Sequence, residues 1–184
     1  MIIRNKLESI SKIKKLELNT FPEQLFSRDQ QELVRLFLEK YPAKYYAIRD
    51  KTRAGGIFKL KVEAKDIIKE IQSYELFTIN VSSANYADNQ VLVGEIEILS
   101  NGSIYATLSV DSTASVRNAL RNPTFNISTD IFDKMLNQIP YFDWIYKYIS
   151  DNNLFDVIVE FSLFNREVGI KKQKIIIYEL RTHY

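Results

Sequence analysis

Two carboxylates stand mid-strand in the last third of the chain: Glu160 in Val159-Glu160-Phe161 and Glu179 in Tyr178-Glu179-Leu180. In the run 154–164, Phe155, Val157, Val159, Phe161 and Leu163 make one apolar face, and Asp156, Ile158, Glu160 and Ser162 fall on the other. A carboxylate in the middle of such a strand is costly unless it is paired, protonated or bound to a cation. If 154–164 and 174–181 pair antiparallel with an odd register sum, Glu160 and Glu179 share a face. An even sum separates them, and the sequence leaves the register open. On one face they suit a Mg²⁺ ion that also carries phosphates. The alternative is a structural ion pair with Arg181, Arg49 or a lysine.

A second constellation is Arg49-Asp50-Lys51-Thr52-Arg53-Ala54-Gly55-Gly56, followed by Lys59 and Lys61. Glycines let backbone N–H groups approach a phosphate, and the cations supply charge. The plainer reading is a solvated turn between two strands. Arg117 and Arg121, four apart, share a helix face where an anion can meet them. Glu95 and Glu97 read as the wet face of a strand. The aromatic run Tyr141, Phe142, Trp144, Tyr146 and Tyr148 reads as packing, and His183 as an exposed terminal residue.

The elements that must position these groups follow from periodicity. A helix is predicted over 27–40, with Ser27 and Gln30 as a capping box and Leu33, Val34, Phe37 and Leu38 as its apolar stripe. Strands are predicted at 45–49 and 57–62, with a loop and the Gly55-Gly56 pair between them, then a short helix at 65–73. Strands at 76–82, 90–99 and 103–110 follow, the last two joined by Asn101-Gly102. Helical turns at 112–120 and a helix over 130–151, broken at Pro140, precede the two final strands. Hairpin order makes the sheet mainly antiparallel, and the expected fold is α+β with helices packed on it. Residues 1–20, with a net charge of +3, read as a basic arm or short helix, and 21–184 as a single α+β domain.

Composition narrows the chemistry. The chain has 184 residues, enough for a sizeable core, and is 46% hydrophobic. It has no cysteine, which excludes thiolate nucleophiles, thiolate metal sites and disulfides. One histidine argues against a Ser-His-Asp triad and against a histidine-rich zinc site. A net charge of +2 sets up no global field for a polyanion. No apolar run is long enough for a membrane span, and Met-Ile-Ile-Arg-Asn-Lys is not a secretory leader, so a cytoplasmic location is expected.

The order of these pieces resembles the nucleotide-binding half of the ATP-grasp superfamily. The resemblance covers roughly residues 20–184: a strand ending in Arg49, the Gly55-Gly56 turn, a second strand and short helix, a meander, Arg117 ahead of the helices, and two final strands centred on Glu160 and Glu179. It implies ATP held between two α+β lobes, with Arg49 where the family places a phosphate-contacting lysine, Gly55, Gly56 and Lys59 around the phosphates, and Arg117 near the transferring phosphate. Mg²⁺ would sit on Glu160 and Glu179. The implied activity is a carboxylate-activating ligase or its degenerate relative, with a nucleotide and a protein among its partners. The family's closing Glu-x-Asn reads here Glu179-Leu180-Arg181, a cation in place of an amide ligand. The other reading is a non-catalytic module for protein or nucleic acid, motivated by the basic stretches 1–20 and 49–61 and by Tyr45 and Tyr46 as stacking surfaces.

Overall fold

Alternating apolar residues in hairpin order become two antiparallel sheets. The computed structural model describes residues 2–3, 6–51, 57–111 and 115–183. Gly55 and Gly56, and with them the centre of the expected phosphate loop, lie outside the described residues. The elements are α1 (Lys6–Lys15), β1 (Glu23–Ser27), α2 (Gln31–Lys40), β2 (Tyr45–Asp50), β3 (Phe58–Glu63), α3 (Ile67–Glu70), β4 (Leu76–Val81), β5 (Gln90–Ile98), β6 (Ser103–Ser109), α4 (Val116–Arg121), β7 (Phe125–Asp130), α5 (Phe142–Asp151), β8 (Ile158–Val168) and β9 (Gln173–Arg181). The fold class is α+β.

The chain divides into two compact units, 21–87 and a larger one formed by 1–20 with 88–184. The smaller unit carries a four-stranded sheet in the order β1-β4-β2-β3. Phe26, Phe77, Ile48, Ile79, Ile67 and Ile71 are buried in it. Phe26 meets Phe37 of α2 edge-on at 5.7 Å, an orientation aromatic quadrupoles favour. Strand β1 is a departure from the sequence reading, which begins a helix at Ser27. Ser27 ends the strand instead, and α2 starts four residues later. The Gln30 side chain still accepts from the Ser27 N–H at 3.1 Å, so one half of the predicted capping box survives.

The larger unit carries a five-stranded sheet in the order β7-β6-β5-β8-β9. One face is apolar. Ile96, Val159, Phe161, Ile177 and Leu180 are buried there with Ile145 and Ile149 of α5. The expected basic arm belongs to this unit. Ile13 and Leu18 join the core, Ser9 Oγ accepts from the Leu180 N–H at 2.8 Å, and the Ile3 N–H donates to Thr182 Oγ1 at 2.9 Å. Asn19 pins the β8–β9 hairpin. Its Nδ2 donates to the carbonyls of Val168 and Ile175, both at 2.8 Å, and its Oδ1 accepts from the Lys171 N–H at 2.7 Å. Gly94 is required where β5 pairs with β6, opposite Leu108. Its φ is +149°, and a Cβ there would lie 2.1 Å from the Thr107 carbonyl oxygen.

Candidate functional site on the polar face of the large sheet

The face opposite that core is polar, and strand register builds it. Glu179 pairs with Glu160, Glu160 with Glu95, Glu95 with Thr107 and Thr107 with Asn126. One row of polar side chains therefore runs across all five strands. The next row is Arg181, Ile158, Glu97, Tyr105 and Ser128. Between these rows lies a cleft of about 580 Å³, lined among others by Glu95, Glu97, Thr107, Asn126, Ser128 and His183. Helix α4 rests on the same face, with Ala119 and Val116 against Val93. It is capped by Ser115, whose side chain accepts from the Asn118 N–H. Arg117 is an exposed residue of that helix.

A β-bulge decides that the two acids meet. Phe161, Ser162 and Leu163 pair with Ile177, Ile176 and Ile175, an even register. Ile158, Val159 and Glu160 pair with Arg181, Leu180 and Glu179, an odd one. Tyr178 is the extra residue between them. Continued without it, the even register would put Glu179 opposite Val159, on the core face. The bulge thus serves both sides of the sheet: it keeps Leu180 in the core and turns Glu179 toward Glu160. The Tyr178 O–H donates to Ser162 Oγ at 3.1 Å, and the Ser162 O–H to Gln90 Oε1 at 3.0 Å, so the displaced residue is itself anchored.

Two side chains at the end of the chain, Arg181 and His183, meet the acids. Arg181 Nη2 lies 2.9 Å from Glu160 Oε1 and also bonds Glu95. His183 Nε2 lies 2.9 Å from Glu97 Oε2, and Glu97 is almost wholly buried. Arg181 Nε is buried with no hydrogen-bond partner, a cost of about 1–3 kcal/mol that the charge pairing has to offset. Mg²⁺ demands several oxygen ligands in a near-octahedral shell. Among the described residues no three acidic or histidine side chains are placed to hold one metal ion, and a guanidinium already occupies Glu160. As they stand, these residues do not fit the Mg²⁺ ion that the resemblance implies.

The other expected site residues lie in the smaller unit. Arg49 pairs with Phe58 across the strands, and its guanidinium sits 4.9 Å from the Phe58 ring centroid. Lys59 pairs with Ile48, the neighbour of Arg49, so the two cations leave the sheet on opposite faces. The structure does not bring them together. Lys59 instead forms an ion pair with Glu70 on α3, and Glu70 also accepts from the Tyr74 O–H at 2.9 Å. The hydrogen bond from Lys59 leads in holding the Glu70 carboxyl below its usual range. Burial, and then the Glu70 carboxylate, push the Tyr74 phenol up to about 12.

Sequence reasoning passed over Glu95, Glu97 and His183 as parts of a site; Arg181 it named as an ion-pair partner for the two acids, and the pair with Glu160 forms. A signal was present. Glu95-x-Glu97 and Glu179-x-Arg181-x-His183 each repeat with the strand period of two, which puts each set on one face of its own strand; β8 lies between the two strands.

No protein-family model and no curated protein matches the chain. Solved structures do. Macrocyclase MdnC bound with precursor peptide MdnA, from Microcystis aeruginosa MRC, aligns over 96% of this chain and 50% of its own at 11% identity, with a TM-score of 0.50. D-alanine-D-alanine ligase from Helicobacter pylori aligns over 96% and 50% at 10% identity, with a TM-score of 0.46. N5-carboxyaminoimidazole synthase from Aspergillus clavatus, in complex with ADP and 5-aminoimidazole ribonucleotide, aligns over 98% and 45% at 16% identity, with a TM-score of 0.48. All are ATP-grasp enzymes. The chain spans about half the length of each. At these identities the likeness concerns the fold alone: this chain has an ATP-grasp-like fold.

Proposed function

We propose that the chain is an adenine-nucleotide-binding module of ATP-grasp type. The observation that carries the reading is the continuous polar face of the five-stranded sheet, set in an ATP-grasp-like fold, with Arg117 on a helix that rests on the same face. A fold by itself hosts many functions, so the side chains on that face carry the weight. Within the large unit, Arg117 is the group for an anionic phosphate, and the neighbouring cleft supplies hydrogen-bonding side chains. Within the small unit, Arg49 and the segment bearing Gly55 and Gly56 are the phosphate-contacting candidates. Lys59, engaged by Glu70, is the weakest of them. The activity class that goes with this reading is ATP-dependent ligation, in active or degenerate form, in a cytoplasmic setting.

The test is thermal unfolding of the whole chain with ADP and with ATP. A ligand that binds only the folded state at ten times its Kd adds about 1.4 kcal/mol, which for a chain of this size raises the midpoint by about 3–5 °C. The expected result is such a rise, reduced in Arg49→Ala and in Arg117→Ala. An unchanged midpoint at millimolar nucleotide overturns the reading.

A further inference from the structure

The lining of the cleft on the polar face is acidic. Among the described residues its ionisable groups are Glu95, Glu97, Tyr105 and His183, with no lysine or arginine. The Glu95 carboxylate is already met by Arg181. Glu97 is different. Its side chain is 6% exposed, and its carboxylate meets one side chain among the described residues, the His183 imidazole at 2.9 Å. That imidazole is itself 71% exposed. A carboxylate so far out of water calls for a donor that brings charge, and a neutral imidazole brings one N–H and no charge. His183 covers the acid without filling the cleft, whose volume of about 580 Å³ is in the range of small-molecule sites.

We infer that this cleft is a binding site for a guanidinium group, which docks on the Glu97 carboxylate in place of His183. Three features select that cation. A guanidinium is more weakly hydrated than an ammonium, so less is lost in bringing it against a buried acid, and its fork matches a carboxylate through two parallel N–H donors. Tyr105 stands opposite Glu97 on β6 and lines the same cleft, half-exposed. Guanidinium planes stack on such rings. His183 is itself a planar nitrogen group set on that acid, so the contact the chain makes internally is the contact the ligand reproduces. Beyond the cation, Ser128 stands next to Tyr105 on β7, and Thr107 and Asn126 pair in the adjacent row. Their hydroxyl and amide groups suit the polar remainder of the ligand. This is a second ligand site, distinct from the phosphate-binding groups, and it stands whether or not the chain binds nucleotide.

The experiment titrates n-butylguanidinium, n-butylammonium and Nα-acetylarginine methylamide separately into the whole chain, without nucleotide, and reads binding by calorimetry. The chain has one histidine, so its imidazole resonances in an NMR spectrum mark the site. Saturable binding of n-butylguanidinium is expected with a Kd of about 1 mM or tighter, and the His183 resonances are expected to move in step with it. Glu97→Gln is expected to weaken binding about tenfold or more, the worth of a charge-assisted hydrogen bond. Ser128→Trp, which fills the cleft from an exposed position of the edge strand, is expected to abolish it. His183→Ala, which removes the internal competitor, is expected to bind at least as tightly as the wild type. Tighter binding of Nα-acetylarginine methylamide than of n-butylguanidinium names a peptide-borne arginine as the source, and the reverse order names a free guanidino compound. No saturable heat and no movement of the His183 resonances up to about 20 mM overturns the proposal. So does equal binding in Glu97→Gln, equal binding of n-butylammonium, or loss of binding in His183→Ala. If Glu97→Gln does not fold by circular dichroism, Ser128→Trp decides in its place, and unchanged binding there overturns the proposal.

Discussion

At the scale of single residues, Tyr148 gives the cleanest pH signature. It packs on Trp144 with ring centroids 5.6 Å apart. Burial pushes its phenol up to about 12, against a lowering contribution from the Asn19 backbone. An unfolded tyrosine ionises near 10. Because the folded value is the higher one, folding favours the neutral phenol. That contribution is fully present below about pH 10 and is lost as pH rises through about 12. Tyr74 shifts in the same direction for the same leading reason. The urea midpoint of the wild type is therefore expected to fall between pH 9.5 and 11.5. Tyr148→Phe is expected to fall less over the same interval, which equilibrium unfolding at the two pH values checks. Tyr148 was readable as a packing aromatic, but the titration of neither tyrosine was, because burial is a property of neighbours distant in sequence.

At the scale of elements, the β8–β9 hairpin holds the acid row, and Asn19 holds the hairpin. Replacing Asn19 with Ala leaves the Val168 and Ile175 carbonyls and the Lys171 N–H without their side-chain partner. Stranding buried polar groups of this kind costs about 2–4 kcal/mol in total. Asn19→Ala is expected to lower the urea midpoint accordingly, with an unchanged slope, in a circular-dichroism titration. The hairpin itself was legible: long apolar alternations at 154–164 and 174–181 and a polar turn around Gly169 predicted two strands, observed at Ile158–Val168 and Gln173–Arg181. The bulge was not identified, although the core residues Ile175, Ile177 and Leu180 carry its mark in a step of three where a regular strand steps by two. Strand β7 also escaped notice. Its sequence Phe-Asn-Ile-Ser-Thr-Asp places only Ile127 in the core, and it sits at the sheet edge, where pairing with β6 rather than apolar content makes it a strand.

At the scale of the whole molecule, the chain divides into two compact units. The smaller unit is continuous in sequence, has its own sheet and buries Phe26, Phe77, Ile48 and Ile79 in its own core. A fragment of residues 21–87 is expected to fold alone with a cooperative urea transition at low stability, as chains of about 60 residues with a core do. A non-cooperative melt of the fragment counts against the division. No helix among the described residues is long and apolar enough to cross a membrane.

The sequence by itself determined the α+β class, the order of most elements, the resemblance to the ATP-grasp nucleotide-binding half, and the candidate acids Glu160 and Glu179. These rest on local patterns: period-two alternation, turn residues, and charges interrupting apolar strands. Only the tertiary structure decided that the acids face each other, that Glu95 completes their row, that Arg181 sits on two of them, and that Arg49 and Lys59 leave their sheet on opposite faces. Each of these depends on register between strands. Register is fixed by bulges and by the summed packing of both sheet faces, and a shift of one residue reverses the direction of every side chain.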